Sequence, residues 1–117
     1  MSYSYKIINS SAGSGKTFYL AIEFIAQLLN SKKDDHYKSM LALTFTNKAS
    51  AEMKDRILSY LNIIVNENEN VIIDIVTSKT TLNNTEIKEK AFIILENILY
   101  NYSSFNVMTI DSFTNNI

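Results

Sequence analysis

Eight consecutive residues, Ser10-Ser11-Ala12-Gly13-Ser14-Gly15-Lys16-Thr17, restrict what this chain can fold into more than any other feature. Before them lies a short apolar run, Tyr5 to Asn9. After them, from Lys16 to Asn30, the residues Leu20, Phe24, Ile25, Leu28 and Leu29 recur at helical spacing. Strand, glycine-bearing loop and helix, in that order, make a phosphate-binding P-loop. Gly13 and Gly15 lack Cβ atoms, so successive backbone N–H groups can converge on an anion. A helix starting at or near Lys16 adds its positive end to the same point. Lys16 has the reach for β- and γ-phosphates, and the Thr17 hydroxyl suits Mg²⁺. The expectation is a nucleoside triphosphate held with Mg²⁺ by residues 10–17. One position departs from the strict G-x-x-x-x-G-K-[ST] spacing, because Ser10 stands where glycine is usual. A serine forced into a left-handed conformation would cost about 1–3 kcal/mol, so Ser10 is expected in an ordinary backbone region.

Length and composition narrow the remaining classes. A chain of 117 residues forms one domain, and 46% apolar with 20% charged residues is the balance of a globular protein. No apolar run approaches the roughly 20 residues that span a bilayer, and Met1 to Lys6 lacks the basic-then-apolar form of a secretion signal. The absence of cysteine excludes a disulfide framework and thiolate metal sites. Together these features point to the cytoplasm and away from a membrane. The lone His36 sits in the polar stretch Lys32 to Lys38 and reads as a solvated loop residue. A net charge of −1 provides no global positive field for nucleic acid, while leaving room for a local contact surface.

Along the chain, strand and helix patterns alternate. Tyr5 to Asn9 is a first strand and Met40 to Phe45 a second strand candidate, a run short enough to fit a buried helix as well, separated by the first helix and the polar loop Ser31 to Lys38. Lys48 to Val65 reads as a second helix with Ala49, Met53, Ile57 and Leu61 on its inner face, capped by Thr46 or Asn47. The segment 66–85 is the least regular. Its apolar island Val71 to Val76 suits a strand or a helical turn, and a helical insertion with flexible edges is the expectation. Ile87, Ala91, Ile94, Leu95, Ile98 and Leu99 mark a helix over Glu86 to Tyr100, and Asn106 to Ile110 a third strand. Such alternation predicts an α/β fold with a parallel sheet, right-handed crossovers and ligands at the carboxyl ends of the strands.

Two further segments fall at that edge. Thr44-Phe45-Thr46-Asn47-Lys48 offers hydroxyl, amide and ammonium groups at a helix start, a set that suits a phosphodiester backbone. Phe45 is either a stacking face for a base or part of the core. Thr46 and Asn47 either touch nucleic acid or only cap the helix. In the segment Val107 to Phe113, Asp111 is either a Mg²⁺-holding acid or a helix N-cap.

The order SAGSGKT, LALTFTNKASAEMKDRI, VMTIDSF resembles the amino-terminal motor domain of UvrD/Rep-like superfamily-1 DNA helicases, in particular the RecB/AddA-type branch. The resemblance covers most of the chain outside Asn66 to Tyr102. It implies a RecA-like P-loop NTPase fold, ATP and Mg²⁺ as cofactors, and 3′→5′ movement on single-stranded DNA in recombination or repair. It also implies a nuclease or recombination partner subunit. By motif, Ser10 to Thr17 hold the triphosphate, with Thr17 on the metal. Thr46, Asn47 and Lys48 contact the DNA backbone, as do Thr109, Ser112 and Phe113. Asp111 replaces the histidine common in that last motif. No glutamine precedes the loop to read adenine, and Phe18 follows Thr17 where arginine is frequent.

Within residues 1–117 the sequence carries the phosphate cradle without an acidic strand motif, a second motor domain or an arginine finger. The expectation is therefore an incomplete fragment that binds nucleotide weakly and neither hydrolyses it nor unwinds DNA. The alternative is a non-catalytic nucleotide-binding remnant or interaction module.

Overall fold

Three of the short apolar runs become strands of one parallel sheet in the computed structural model of the chain. The structure describes residues 6–9, 14–33, 36–44 and 46–109. In chain order these form β1 (Lys6–Asn9), α1 (Ser14–Asn30), a 3₁₀ turn (His36–Ser39), β2 (Met40–Thr44), α2 (Asn47–Asn66), α3 (Val71–Thr77), α4 (Asn84–Tyr100), a second 3₁₀ turn (Tyr102–Ser104) and β3 (Val107–Thr109). The strands lie in sequence order, β1-β2-β3, and both pairings are parallel. Lys6 to Asn9 pair with Met40 to Leu43, and Ala42 to Thr44 pair with Val107 to Thr109. Helix accounts for most of the described residues.

Consecutive parallel strands joined by crossovers of one hand carry both connections on the same sheet face. The packing agrees, since α1 contacts β1 and α2, and α2 contacts β2, β3 and α4. That shared layer holds the core. Ile22, Phe24, Ile25, Leu28 and Leu29 of α1 are buried, as are Met53, Ile57, Leu61 and Ile64 of α2 and Ile87, Ala91, Ile94 and Ile98 of α4. Phe24 meets Phe105 edge-on at 5.8 Å between ring centroids, joining α1 to the approach to β3.

Local expectations are sharpened, and some change. Helix α1 begins at Ser14, two residues before Lys16, so half of the predicted loop belongs to the helix. The inner stripe of α2 begins at Ser50; Ala49, expected there, is only half-buried. Within 66–85 the apolar island is the helix α3. Asn70 decides this, because its side-chain oxygen accepts from Ile72 N at 2.9 Å, and Ile72 and Val76, one turn apart, are buried. Helix α4 starts at Asn84 behind a reciprocal cap: Asn83 Oδ1 accepts from Glu86 N at 2.9 Å, and Glu86 Oε1 accepts from Asn83 N at 3.0 Å. Among the described residues, no helix is long and apolar enough to cross a membrane.

Candidate functional site

The carboxyl ends of the three strands lie along one edge, with Ser14–Thr17, Thr46–Lys48 and Thr109 at or just beyond them. Asn9, the last residue of β1, is in register with Leu43, one residue before the end of β2, and Thr44 is in register with Thr109 at the end of β3. Neighbouring strands are about 4.8 Å apart, so the exits of β1 and β3 lie roughly 10 Å apart across β2. Helix α1 starts five positions after Asn9, and α2 starts three positions after Thr44.

At the first exit, Ser14, Gly15, Lys16 and Thr17 form the opening turn of α1. The first backbone N–H groups of a helix, ahead of the first intrahelical donor, point out of its start, and no carboxylate lies in that turn to oppose an anion. Thr17 is half-buried. Phe18 turns inward and meets Tyr60 of α2 edge-on at 5.8 Å, so this position packs the two helices together. Ser10, Ser11, Ala12 and Gly13 lie outside the described residues.

The second exit is held by Thr46. Its hydroxyl oxygen accepts from Ala49 N at 3.0 Å, and its extended backbone makes it the N-cap of α2. This resolves the choice between Thr46 and Asn47 as cap. A hydroxyl that accepts an N–H keeps its own proton for donation, so capping and contact with an oxygen ligand are compatible. Asn47 and Lys48 are exposed in the first turn of α2, which also lacks a carboxylate. At the third exit Thr109 is buried. Phe45, Asp111, Ser112 and Phe113 lie outside the described residues.

The sequence reading named Thr44 only among the hydroxyls offered to a phosphodiester and did not single out Ser50. Thr44 and Ser50 are buried, and with Thr109 they are the buried polar side chains among the described residues. Thr44 Oγ1 lies 2.5 Å from Ser50 Oγ, 3.2 Å from the Thr46 carbonyl and 3.4 Å from the Met108 carbonyl. Among the described residues no buried side-chain nitrogen or oxygen lacks a partner. A signal was present: Ser50 precedes Met53 by three residues, on the same helical stripe, and Thr44 closes an apolar strand.

Comparison with known proteins adds to this geometry. The sequence model of the family described as UvrD/REP helicase N-terminal domain matches residues 3–117. A probable DNA helicase II homolog of Mycoplasma genitalium is 37% identical over 101 residues, 85% of this chain and 14% of that protein. The ATP-dependent DNA helicase PcrA of Staphylococcus aureus is 51% identical over 51 residues, 44% of this chain and 7% of that protein. An ATP-dependent helicase/nuclease subunit of Natranaerobius thermophilus is 38% identical over 55 residues, 47% of this chain and 4% of that protein. The chain thus spans between 4% and 14% of the length of these relatives. No solved structure matches it.

Proposed function

Because this chain belongs to the UvrD/REP helicase N-terminal domain family, we propose that it binds ATP as the amino-terminal part of an ATP-dependent 3′→5′ helicase motor working on single-stranded DNA. The fold this implies is the RecA-like P-loop NTPase, and the three-stranded parallel sheet with its helical layer is consistent with it. The observation that carries the reading is the convergence of the three strand exits on one edge, with α1 and α2 each starting there.

The donors at the first exit fit a polyanion: a helix start without carboxylates, a glycine, a lysine and a hydroxyl. Ser10 to Thr17 would hold the triphosphate, with Lys16 supplying charge and the Thr17 hydroxyl facing Mg²⁺. ATP, when bound with Mg²⁺, supplies the free energy of its phosphoanhydride bond. Across the edge, Thr46, Asn47 and Lys48 bind the DNA backbone, joined by Thr109, Ser112 and Phe113 from the segment that begins in β3. The work of such a motor is recombination or repair in the cytoplasm. The helicase/nuclease relatives support the AddA-type branch and a partner protein.

Fluorescent ATP-analogue titration of the 117-residue chain with Mg²⁺ tests the reading. The expected result is saturable binding that weakens at least about tenfold in Lys16→Ala, the loss of one charge-assisted contact to phosphate, with no turnover by the chain alone. Equal affinity of the two proteins would overturn the nucleotide assignment. Measurable hydrolysis would overturn the claim that this segment binds without turning over.

A further inference from the structure

We infer that the buried hydroxyl pair Thr44–Ser50 is the positioning device that sets the first turn of α2 against the sheet, and so aims Asn47 and Lys48. The inference rests on the reading of residues 46–48 as a DNA contact.

The hydrogen-bond inventory gives the pair a direction. Each hydroxyl has one proton. Thr44 Oγ1 has two carbonyl acceptors in reach, Thr46 O at 3.2 Å and Met108 O at 3.4 Å. If Thr44 shares its one proton between these carbonyls, the shorter contact to Thr46 O taking the larger part, Ser50 donates to Thr44 across 2.5 Å and both protons are used. The reverse assignment would leave both carbonyl contacts without a proton. Thr46 is then held at both of its polar groups. Its carbonyl receives Thr44 Oγ1 and also Ser50 N at 3.0 Å, and its hydroxyl receives Ala49 N at 3.0 Å. Three bonds therefore hold the residue immediately before Asn47. Through Met108 O the same hydroxyl reaches β3, so the two proposed DNA-contacting segments share one anchor.

Packing alone does not ask for hydroxyls here. The other buried positions of α2 are Met53, Ile57, Leu61 and Ile64, and Thr44 is followed across the sheet by a register partner, Thr109, that is also buried. Valine at 44 and alanine at 50 would fill nearly the same volume without any group to desolvate. Apolar contact is non-directional, whereas a hydroxyl bridge fixes the angle and rise at which α2 leaves β2.

The test uses T44V, T44S and S50A in the full chain, with three readouts: amide hydrogen exchange of the free protein, anisotropy of a fluorescein-labelled oligo-dT, and fluorescent ATP-analogue affinity. Loss of one buried hydroxyl bridge corresponds to about a tenfold change. In T44V the Ala49 and Ser50 amides should exchange about tenfold faster, with Ile57 and Leu61 unchanged. Oligo-dT affinity should fall about tenfold and nucleotide affinity stay within about twofold. T44S keeps the hydroxyl and should restore both exchange and DNA affinity, and S50A, the milder cut, should follow T44V. Unchanged exchange at Ala49 and Ser50 in both T44V and S50A would overturn the inference. So would a loss of DNA and nucleotide binding together with faster exchange throughout α2, or failure of T44S to rescue. If the unsubstituted chain does not hold oligo-dT, the DNA reading fails, while the exchange data still decide whether the pair fixes the turn.

Discussion

Thr46 illustrates how one side chain can serve structure and ligand together. Its oxygen caps α2 while its proton remains a donor, so Thr46→Ala removes both. The cap is worth about 1 kcal/mol, and thermal unfolding should register a loss of that size. Lys48 is separable from it, being exposed. Lys48→Ala should leave the melting temperature in place and reduce the slope of log affinity for oligo-dT against log salt by about 0.7, one released counterion on a single strand. At this scale the sequence speaks where chemistry is local: glycine, lysine and threonine at fixed spacing carry the proposed anion site. Ser50 was missed because a 3.6-residue period admits Ala49 as readily as Ser50 at the head of the stripe, and only contact with Thr44 separates them.

Helices α1 and α2 have no basic residue in their own last turns, and α4 supplies the missing cations. Lys88 Nζ donates to the carbonyls of Ile64 and Glu67 at the end of α2, and Lys90 Nζ donates to the Ser31 carbonyl just beyond α1. Positive charge at a helix carboxyl end is worth about 0.3–1 kcal/mol, so Lys88→Met and Lys90→Met should each lower the melting temperature by a few degrees. The double variant should lose the sum, since the two lysines cap different helices. The Lys79–Glu23 pair, 4.0 Å apart with both side chains about two-fifths exposed, should contribute nothing a melt can resolve. Element boundaries were legible where caps are written in sequence, as at Asn83 and Glu86. The island Val71 to Val76 was legible in part: a helical insertion was the expectation with a strand left open, since β-branched residues favour a strand, and Asn70 with the burial of Ile72 and Val76 decides for the helix.

In the whole molecule, the core is a helical layer on a small sheet, and its centre is easy to damage. Phe24 is fully buried and packed on Phe105. Phe24→Ala should cost about 3–5 kcal/mol against a total of about 5–15 kcal/mol for a domain of ordinary stability, enough to broaden or abolish the cooperative melt followed by circular dichroism. The alternation of patterns made the parallel sheet legible from sequence. Register was not, because three- to five-residue strands carry too few residues to specify which partner faces which.

The pairing of β1 with β2 has a mechanical side. Four register pairs join the strand that leads into α1 to the strand that leads into α2, and the two helices are packed on each other. A pull on the first turn of α2 therefore cannot stretch the distance to the first turn of α1 without shearing a ladder and opening a core. Load applied at one helix start is thus passed to the other through the strand ladder and the shared core.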